Sequence, residues 1–162
     1  MRTNKALILV AAELTTGMQK INDSLREISK ICPILASSAV YKRYHNNRKE
    51  DLNSEICSVI LLQTEFSILE LADLLRKFSG SRSDRSELVV RILSFGDEVR
   101  LTPSIPLPNP ALHSDYLVLK CATEIYGKYL HPVLGKTLDE ILAGLNTGEL
   151  IEFFAQPKAL FK

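Results

Sequence analysis

The chain has 162 residues, of which 46% are hydrophobic and 24% charged, and its formal net charge is +1 at pH 7. This length favours a single globular domain with a sizeable core. The near-neutral charge excludes a global electrostatic drive toward nucleic acid or a membrane surface. No apolar run approaches the roughly 18 residues needed to cross a bilayer. We therefore expect neither a nucleic-acid partner nor a membrane partner.

The cysteines are odd in number and lie far apart, at Cys32, Cys57 and Cys121, without a C-x-x-C pair. This pattern predicts buried, reduced thiols and therefore a cytoplasmic protein. The three histidines also lack the spacing of zinc ligands, so we expect no zinc site.

The first part of the chain predicts three strands and one helix. Residues 5–12 form a continuous apolar run typical of a buried strand, and residues 17–31 place apolar side chains at helical spacing. Pro33 ends the helix. Residues 34–44 and Glu55–Thr64 then predict the second and third strands, with a polar loop between them.

A second helix and a fourth strand follow. Ser67 and Glu70 form a capping box at the start of the helix. Residues 88–95 predict a strand of aliphatic residues, and residues 98–101 are expected to return as an edge strand. Arg91 interrupts the apolar run of the fourth strand, where a charge is costly unless it is paired or reaches water.

The remaining sequence predicts a loop and two helices. Residues 102–113 contain four prolines, which indicates an extended loop. Residues 114–130 and 137–145 predict the third and fourth helices, the latter with a capping box of Thr137 and Glu140.

The element order β-α-β-β-α-β, followed by helices, predicts an α/β (α+β) protein with a ferredoxin-like antiparallel sheet and helices packed on it. Residues 1–146 form the predicted domain, and residues 147–162 a C-terminal extension rich in apolar side chains. We expect this extension to dock on its own domain. The alternative is an exposed patch that binds a partner or a second subunit.

Four segments, in order, resemble the family of 6-hydroxymethyl-7,8-dihydropterin pyrophosphokinase (HPPK), an enzyme of folate biosynthesis. They are "ALILVAAEL", "LLQTEFSILELADLL", "ILSFGDEV" and "TEIYGKYLHPVLGKTLDEIL". The resemblance covers about residues 6–142. It implies a ferredoxin-like fold and an enzyme that transfers pyrophosphate from ATP to the hydroxymethyl oxygen of the pterin, with two magnesium ions.

The metal positions of the resembling family are changed in this chain. Its Asp-x-Asp on the fourth strand falls on Val89 and Arg91. Residues i and i+2 of a strand share a face, which lets two carboxylates bind a pair of magnesium ions. Valine offers no ligand and arginine repels a dication. Glu87 is the only carboxylate between Arg85 and Gly96 in the sequence.

The pterin side differs as well. The family's Gly-Ser-Asn stretch at the end of the first strand reads Ala11, Ala12 and Glu13, and its pterin-binding asparagine falls on Cys57. We interpret Cys57 as a core residue, because no base at a readable spacing would activate it as a nucleophile. Glu13 is an alternative candidate for a lone acid or base.

The nucleotide side departs in three places. The family's Pro-His pair reads Pro108 and Asn109, and its ATP-contacting arginine falls on Asp115. The long basic loop that closes over the substrates is shortened, although it keeps Arg82 and Arg85. A shorter loop covers a nucleotide poorly.

Arg91 has two interpretations. In the first, Arg91 binds a phosphate or carboxylate directly, together with Arg82 and Arg85, because the guanidinium fork matches such anions. Alternatively, it points to a solvated face and pairs with Glu87, which contributes little. The basic and aromatic segment 41–50 is interpreted as a strand end and polar loop rather than a nucleic-acid surface.

The sequence therefore predicts a diverged HPPK-like protein without the family's pyrophosphokinase activity. Its expected role is a module for ligand binding or interaction, with no cofactor and with a small anionic or nucleotide ligand. The extension offers a route to a homo-oligomer. The alternative is a working pyrophosphokinase that uses ATP and magnesium, with the metals held by carboxylates such as Glu13.

Overall fold

The computed structural model describes residues 3–44, 54–79, 88–145 and 151–156. These residues form six strands and five helices in the following order: β1 Asn4–Glu13, α1 Leu14–Ile31, β2 Ile34–Ser37, β3 Val40–Arg43, β4 Glu55–Thr64, α2 Ile68–Arg76, β5 Val89–Phe95, α3 Ala111–Ser114, α4 Tyr116–Tyr126, α5 Leu138–Gly144 and β6 Ile151–Ala155.

The strands form one six-stranded antiparallel sheet. Its order is β5-β1-β4-β3-β6, and β2 also pairs with β4. The central pairing of β1 with β4 runs over the whole length of both strands, from Asn4 opposite Thr64 to Glu13 opposite Glu55. The pairing of β1 with β5 has one irregularity, between Leu7 and Ile8.

Helices cover both faces of this sheet. Alternating β1 residues such as Ile8 and Val10 face a core shared with α1 and α2. The intervening Leu7 and Ala11 face a second core, shared with α4 and α5. The near-continuous apolar sequence of β1 follows from this double burial, because a strand buried on both faces has no polar side.

The second predicted strand is wrong in one respect, because it divides into β2 and β3. Ser38 lies at the break and is buried. Its backbone N–H donates to the Val59 carbonyl at 2.8 Å, its hydroxyl accepts from the Val59 N–H at 2.9 Å, and the two hydroxyls of Ser38 and Ser58 are 3.0 Å apart. Serine hydroxyls thus replace part of the regular strand ladder.

The segment after β5 also differs from expectation. Residues 98–101 form no strand; the pairing there is limited to a single bridge between Arg100 and Leu107. The predicted 102–113 loop ends in the short helix α3. The predicted helix 114–130 is shorter at both ends, because Asp115 caps the start of α4 and the helix ends at Tyr126.

The described part of the C-terminal extension docks on the domain. β6 pairs with β3, which places Phe153 opposite Tyr41. The two rings make an edge contact with centroids 6.3 Å apart. β6 therefore extends the sheet.

All three cysteines are buried and form no disulfide, as the sequence predicts for Cys32, Cys57 and Cys121. The capping boxes of α2 and α5 are both formed as predicted. Among the described residues, no helix combines the length and apolarity that crossing a bilayer requires.

Candidate functional site

Three predicted site residues lie side by side on one face of the sheet. Ala11 in β1 is directly opposite Cys57 in β4 and Val89 in β5. Directly opposed residues of antiparallel strands share a face. Ala11 and Cys57 belong to the core that packs against α4. The row therefore lies on the α4 side of the sheet.

Arg91 lies two residues after Val89 along β5, on this same face and opposite Leu9. Its side chain is exposed and has no hydrogen bond or ion pair with any described residue. Arg91 also lines a cavity of about 500 Å³ beside β5. Among the described residues, the cavity is lined by two basic side chains and no acidic one; the polar lining residues are Arg76, Ser79, Arg91, Ser104 and Asn109.

Hydrogen bonds attach two walls of this β5 cavity to the strand. The Ser79 hydroxyl accepts from the Val90 N–H at 3.1 Å and donates to the Val90 carbonyl at 3.3 Å. On the other side, the Asn109 N–H donates to the Leu93 carbonyl at 2.8 Å. Asn109 Oδ1 accepts from the Ala111 N–H at 3.0 Å, which holds the loop before α3. Both walls are thus fixed relative to Arg91.

The residues at the resembling family's metal positions do not fit a pair of magnesium ions. Val89 and Arg91 put a hydrocarbon and a cation where two carboxylates are required. No group of three or more His, Cys, Asp or Glu side chains among the described residues is arranged to hold a metal. Glu13, the alternative candidate, lies opposite Glu55, two residues beyond Ala11 along β1.

Asp115 lies beside Arg43, at the end of the sheet. Glu55 is opposite both Glu13 and Arg43. Arg43 Nη1 is 3.6 Å from Glu55 Oε1, and Arg43 Nη2 forms an ion pair with Asp115. Asp115 Oδ1 also accepts from two N–H groups in the first turn of α4, at 3.1 and 3.3 Å. Asp115 therefore links the start of α4 to β3.

A second polar link joins β3 to α4. The Tyr41 hydroxyl donates to Glu124, whose other carboxylate oxygen accepts from the Ala39 N–H at 3.2 Å. Burial, followed by this hydrogen bond to Glu124, raises the pKa of Tyr41 above its ordinary value of 10.0. Tyr41 therefore stays a neutral donor at physiological pH.

Cys57 is placed in the core, at 2% exposure. A hydrogen-bonding contact with the Cys121 thiol, followed by burial, raises the pKa of Cys57 well above its ordinary value of 9.0. A thiol of this kind is mostly protonated at neutral pH and is a poor nucleophile. The structure thus favours the core interpretation of Cys57.

Some residues around the site escape prediction from the sequence. Arg76 and Ser79 line the β5 cavity, and Arg43 organises the carboxylates; none of these belongs to a recognisable motif. Their one signal is position, since Arg76 ends α2, the helix that precedes β5, and Ser79 follows three residues later. Two predicted residues, Arg82 and Arg85, lie outside the described residues, as does Glu87, the alternative partner of Arg91.

Neither a protein-family model nor a curated protein matches the sequence. Solved structures do match. Wild-type HPPK-DHPS of Plasmodium falciparum with pterin and p-hydroxybenzoate has a TM-score of 0.65 and 11% identity, covering 88% of this chain and 43% of that one. The wild-type protein with pteroate has a TM-score of 0.68 and 10% identity, covering 88% of this chain and 42% of that one. A triple mutant of the same protein with STZ-DHP has a TM-score of 0.72 and 10% identity, covering 88% of this chain and 43% of that one.

The fold is HPPK-like. Identities of 10–11% carry this likeness at the level of the fold alone. The chain spans about two fifths of the length of these structures.

Proposed function

We propose that this chain is a diverged HPPK-like protein that binds a small anionic ligand at the β5 cavity and does not transfer pyrophosphate. The HPPK-like fold supports the ancestry. The single observation that carries the loss of activity is the pair Val89 and Arg91, which places a hydrocarbon and a cation side by side on the face where paired acids would bind magnesium.

The electrostatics of the β5 cavity support an anion as the ligand. Arg91 is exposed and has no acidic partner among the described residues. Arg76, the second basic side chain, is largely exposed and has Asp73 at 3.1 Å, a weak surface pair that a ligand can replace. Ser104 and Asn109 add groups that can hydrogen-bond phosphate or carboxylate oxygens, whereas the Ser79 hydroxyl is engaged with the Val90 backbone.

The ancestral reaction is tested by AMP formation from ATP and 6-hydroxymethyl-7,8-dihydropterin, with and without magnesium. We expect a rate equal to the background without protein. Magnesium-dependent AMP formation that scales with protein concentration would overturn the proposal and establish the alternative, a working pyrophosphokinase in this HPPK-like fold.

Anion binding is tested by calorimetry with inorganic pyrophosphate and with AMP, each with and without magnesium. We expect binding that magnesium does not strengthen. Arg91→Ala should weaken it by about 10- to 150-fold, because hydrogen bonds to charged groups contribute about 1.5–3 kcal/mol. Arg26→Ala is the matched control, since Arg26 is an exposed arginine on α1 paired only with Asp23 in the described residues. Equal affinity in wild type and Arg91→Ala would mean that the ligand does not bind at Arg91.

Three further expectations belong to the same proposal. The protein is cytoplasmic, it needs no resident metal, and any homo-oligomer forms through the C-terminal extension. Phe153 and Phe154 support the last expectation, because they are 61% and 39% exposed on β6. Sedimentation of Phe153→Ser beside wild type tests it, with a lower mass expected for the variant if wild type is oligomeric.

A further inference from the structure

A buried histidine holds together the connection between α4 and α5. His131 is 2% exposed. Its Nδ1 accepts hydrogen bonds from the backbone N–H groups of Val133 and Leu134, at 3.2 and 3.1 Å. A ring nitrogen that accepts carries no proton. His131 is therefore neutral in this fold, with its proton on Nε2.

Nε2 of His131 has no hydrogen-bond partner among the described residues. A buried donor without a partner is uncommon. It adds no bond that would stabilise a charged ring, and the two acceptor bonds at Nδ1 favour the neutral ring of His131.

The backbone around His131 closes a tight loop. The His131 N–H donates to the Lys136 carbonyl at 2.8 Å, and the Gly135 N–H donates to the His131 carbonyl at 2.9 Å. Just outside this loop, Leu130 bridges Thr137, the N-cap residue of α5. Opening the loop therefore loosens the start of α5.

The charged surroundings of His131 also disfavour a cation. His113 on α3 makes an edge contact with the His131 ring, with centroids 5.9 Å apart. Burial, followed by His113, lowers the pKa of His131 below its ordinary value of 6.5. The carboxylates nearest in sequence are engaged elsewhere, since Asp139 lies 3.7 Å from Lys128 and Glu140 caps α5. The Lys136 side chain is exposed.

We propose that His131 is an acid-sensitive latch that holds the α4–α5 connection closed when neutral and releases it when its ring is protonated. Protonation places an N–H on Nδ1, facing the N–H groups of Val133 and Leu134. Three donors then meet without an acceptor, and both hydrogen bonds are lost. Because the pKa of His131 is lowered by folding, the latch is closed above about pH 6.5 and opens as the pH falls through the folded-state pKa.

This latch is independent of the proposed ligand binding. Val133 and Leu134 are 60% and 46% exposed, and Leu130 is 58% exposed, so the released segment carries apolar side chains. The consequence of acidification is a local change in this segment, before the domain as a whole unfolds.

The test is an NMR titration of the full chain from about pH 8 to about pH 5, the range in which histidine titrates. We expect the amide shifts of Val133 and Leu134 to follow the His131 ring shift, with one midpoint below 6.5. Their protection against hydrogen exchange should fall about tenfold, as expected for the loss of hydrogen bonds. Amide shifts that stay constant while the ring titrates would refute the latch.

His131→Asn is the matched variant. The asparagine Oδ1 sits where Nδ1 was and still accepts from the two N–H groups, but it does not titrate. We expect the Val133 and Leu134 amides to become independent of pH. An unchanged titration in this variant would assign the effect to another group.

His113→Gln keeps His131 and should raise the midpoint of the His131 titration. A midpoint that does not rise would mean that His113 does not influence the latch.

Discussion

Two arginines on the same face of the sheet have opposite surroundings. Arg43 is 19% exposed and lies between Glu55 and Asp115. Arg91 is exposed, and among the described residues it has no ionic partner and the cavity that it lines has no acidic side chain. Removing Arg43 would leave half-buried carboxylates unpaired, whereas removing Arg91 would leave every described ion pair intact. The difference separates a charge that maintains the fold from one that is available to a ligand.

A similar difference separates the segments that resemble the HPPK family. The late segment keeps residues whose contacts are with backbone: His131 closes its loop, and the Tyr129 hydroxyl donates to the Gly96 carbonyl at 2.6 Å. Val89, at a position where the resembling family is expected to carry a metal-binding aspartate, pairs regularly with Ala11 of β1. The backbone pairing at this position therefore does not depend on an acidic side chain.

The largest effect is expected from Arg43→Ala. It leaves Asp115 and Glu55 without their cation, in surroundings less exposed than those of a surface pair. Full burial would cost about 3–5 kcal/mol, and an exposed pair about 0–1 kcal/mol. We expect a loss of about 2 kcal/mol in the free energy of unfolding, measured with urea. Arg26→Ala provides the control, and an equal loss in both variants would contradict the contrast.

Asp115 has two roles that a pair of variants can separate. Asp115→Ser keeps a side chain that caps α4 but loses the ion pair with Arg43, whereas Asp115→Ala loses both. Replacing an N-cap residue by alanine costs about 1 kcal/mol. Asp115→Ala should therefore unfold at lower urea concentration than Asp115→Ser. Identical midpoints would mean that the cap contributes little beside the ion pair.

Local sequence patterns predicted the elements that depend on near neighbours. β4 matches its predicted bounds, Glu55–Thr64, and both capping boxes form. The break at Ser38 was missed because its partners Ser58 and Val59 are about twenty residues away in sequence. The pairing of Asp115 with Arg43 could not be predicted from local patterns either, because the two residues are 72 positions apart.

The candidate site was partly accessible from the sequence. The family resemblance named Ala11, Cys57 and Val89, and the sheet brings them together because their register follows from the long β1 pairings. The cavity beside Arg91 was not predicted. Its walls come from the end of α2 and from the loop before α3, and only the folded chain places Ser79 and Asn109 against β5.

The smallest effect on stability is expected from Arg91→Ala, the same substitution as Arg43→Ala on the same face. Surface substitutions away from networks usually change the free energy of unfolding by less than about 0.5 kcal/mol. The methylene groups of Arg91 add little packing, because the side chain is exposed. A urea midpoint within error of wild type, together with weaker pyrophosphate binding, would assign Arg91 to a ligand. A loss as large as that of Arg43→Ala would instead mean that Arg91 stabilises the fold through residues beyond the described ranges, and the contrast between the two arginines would fail.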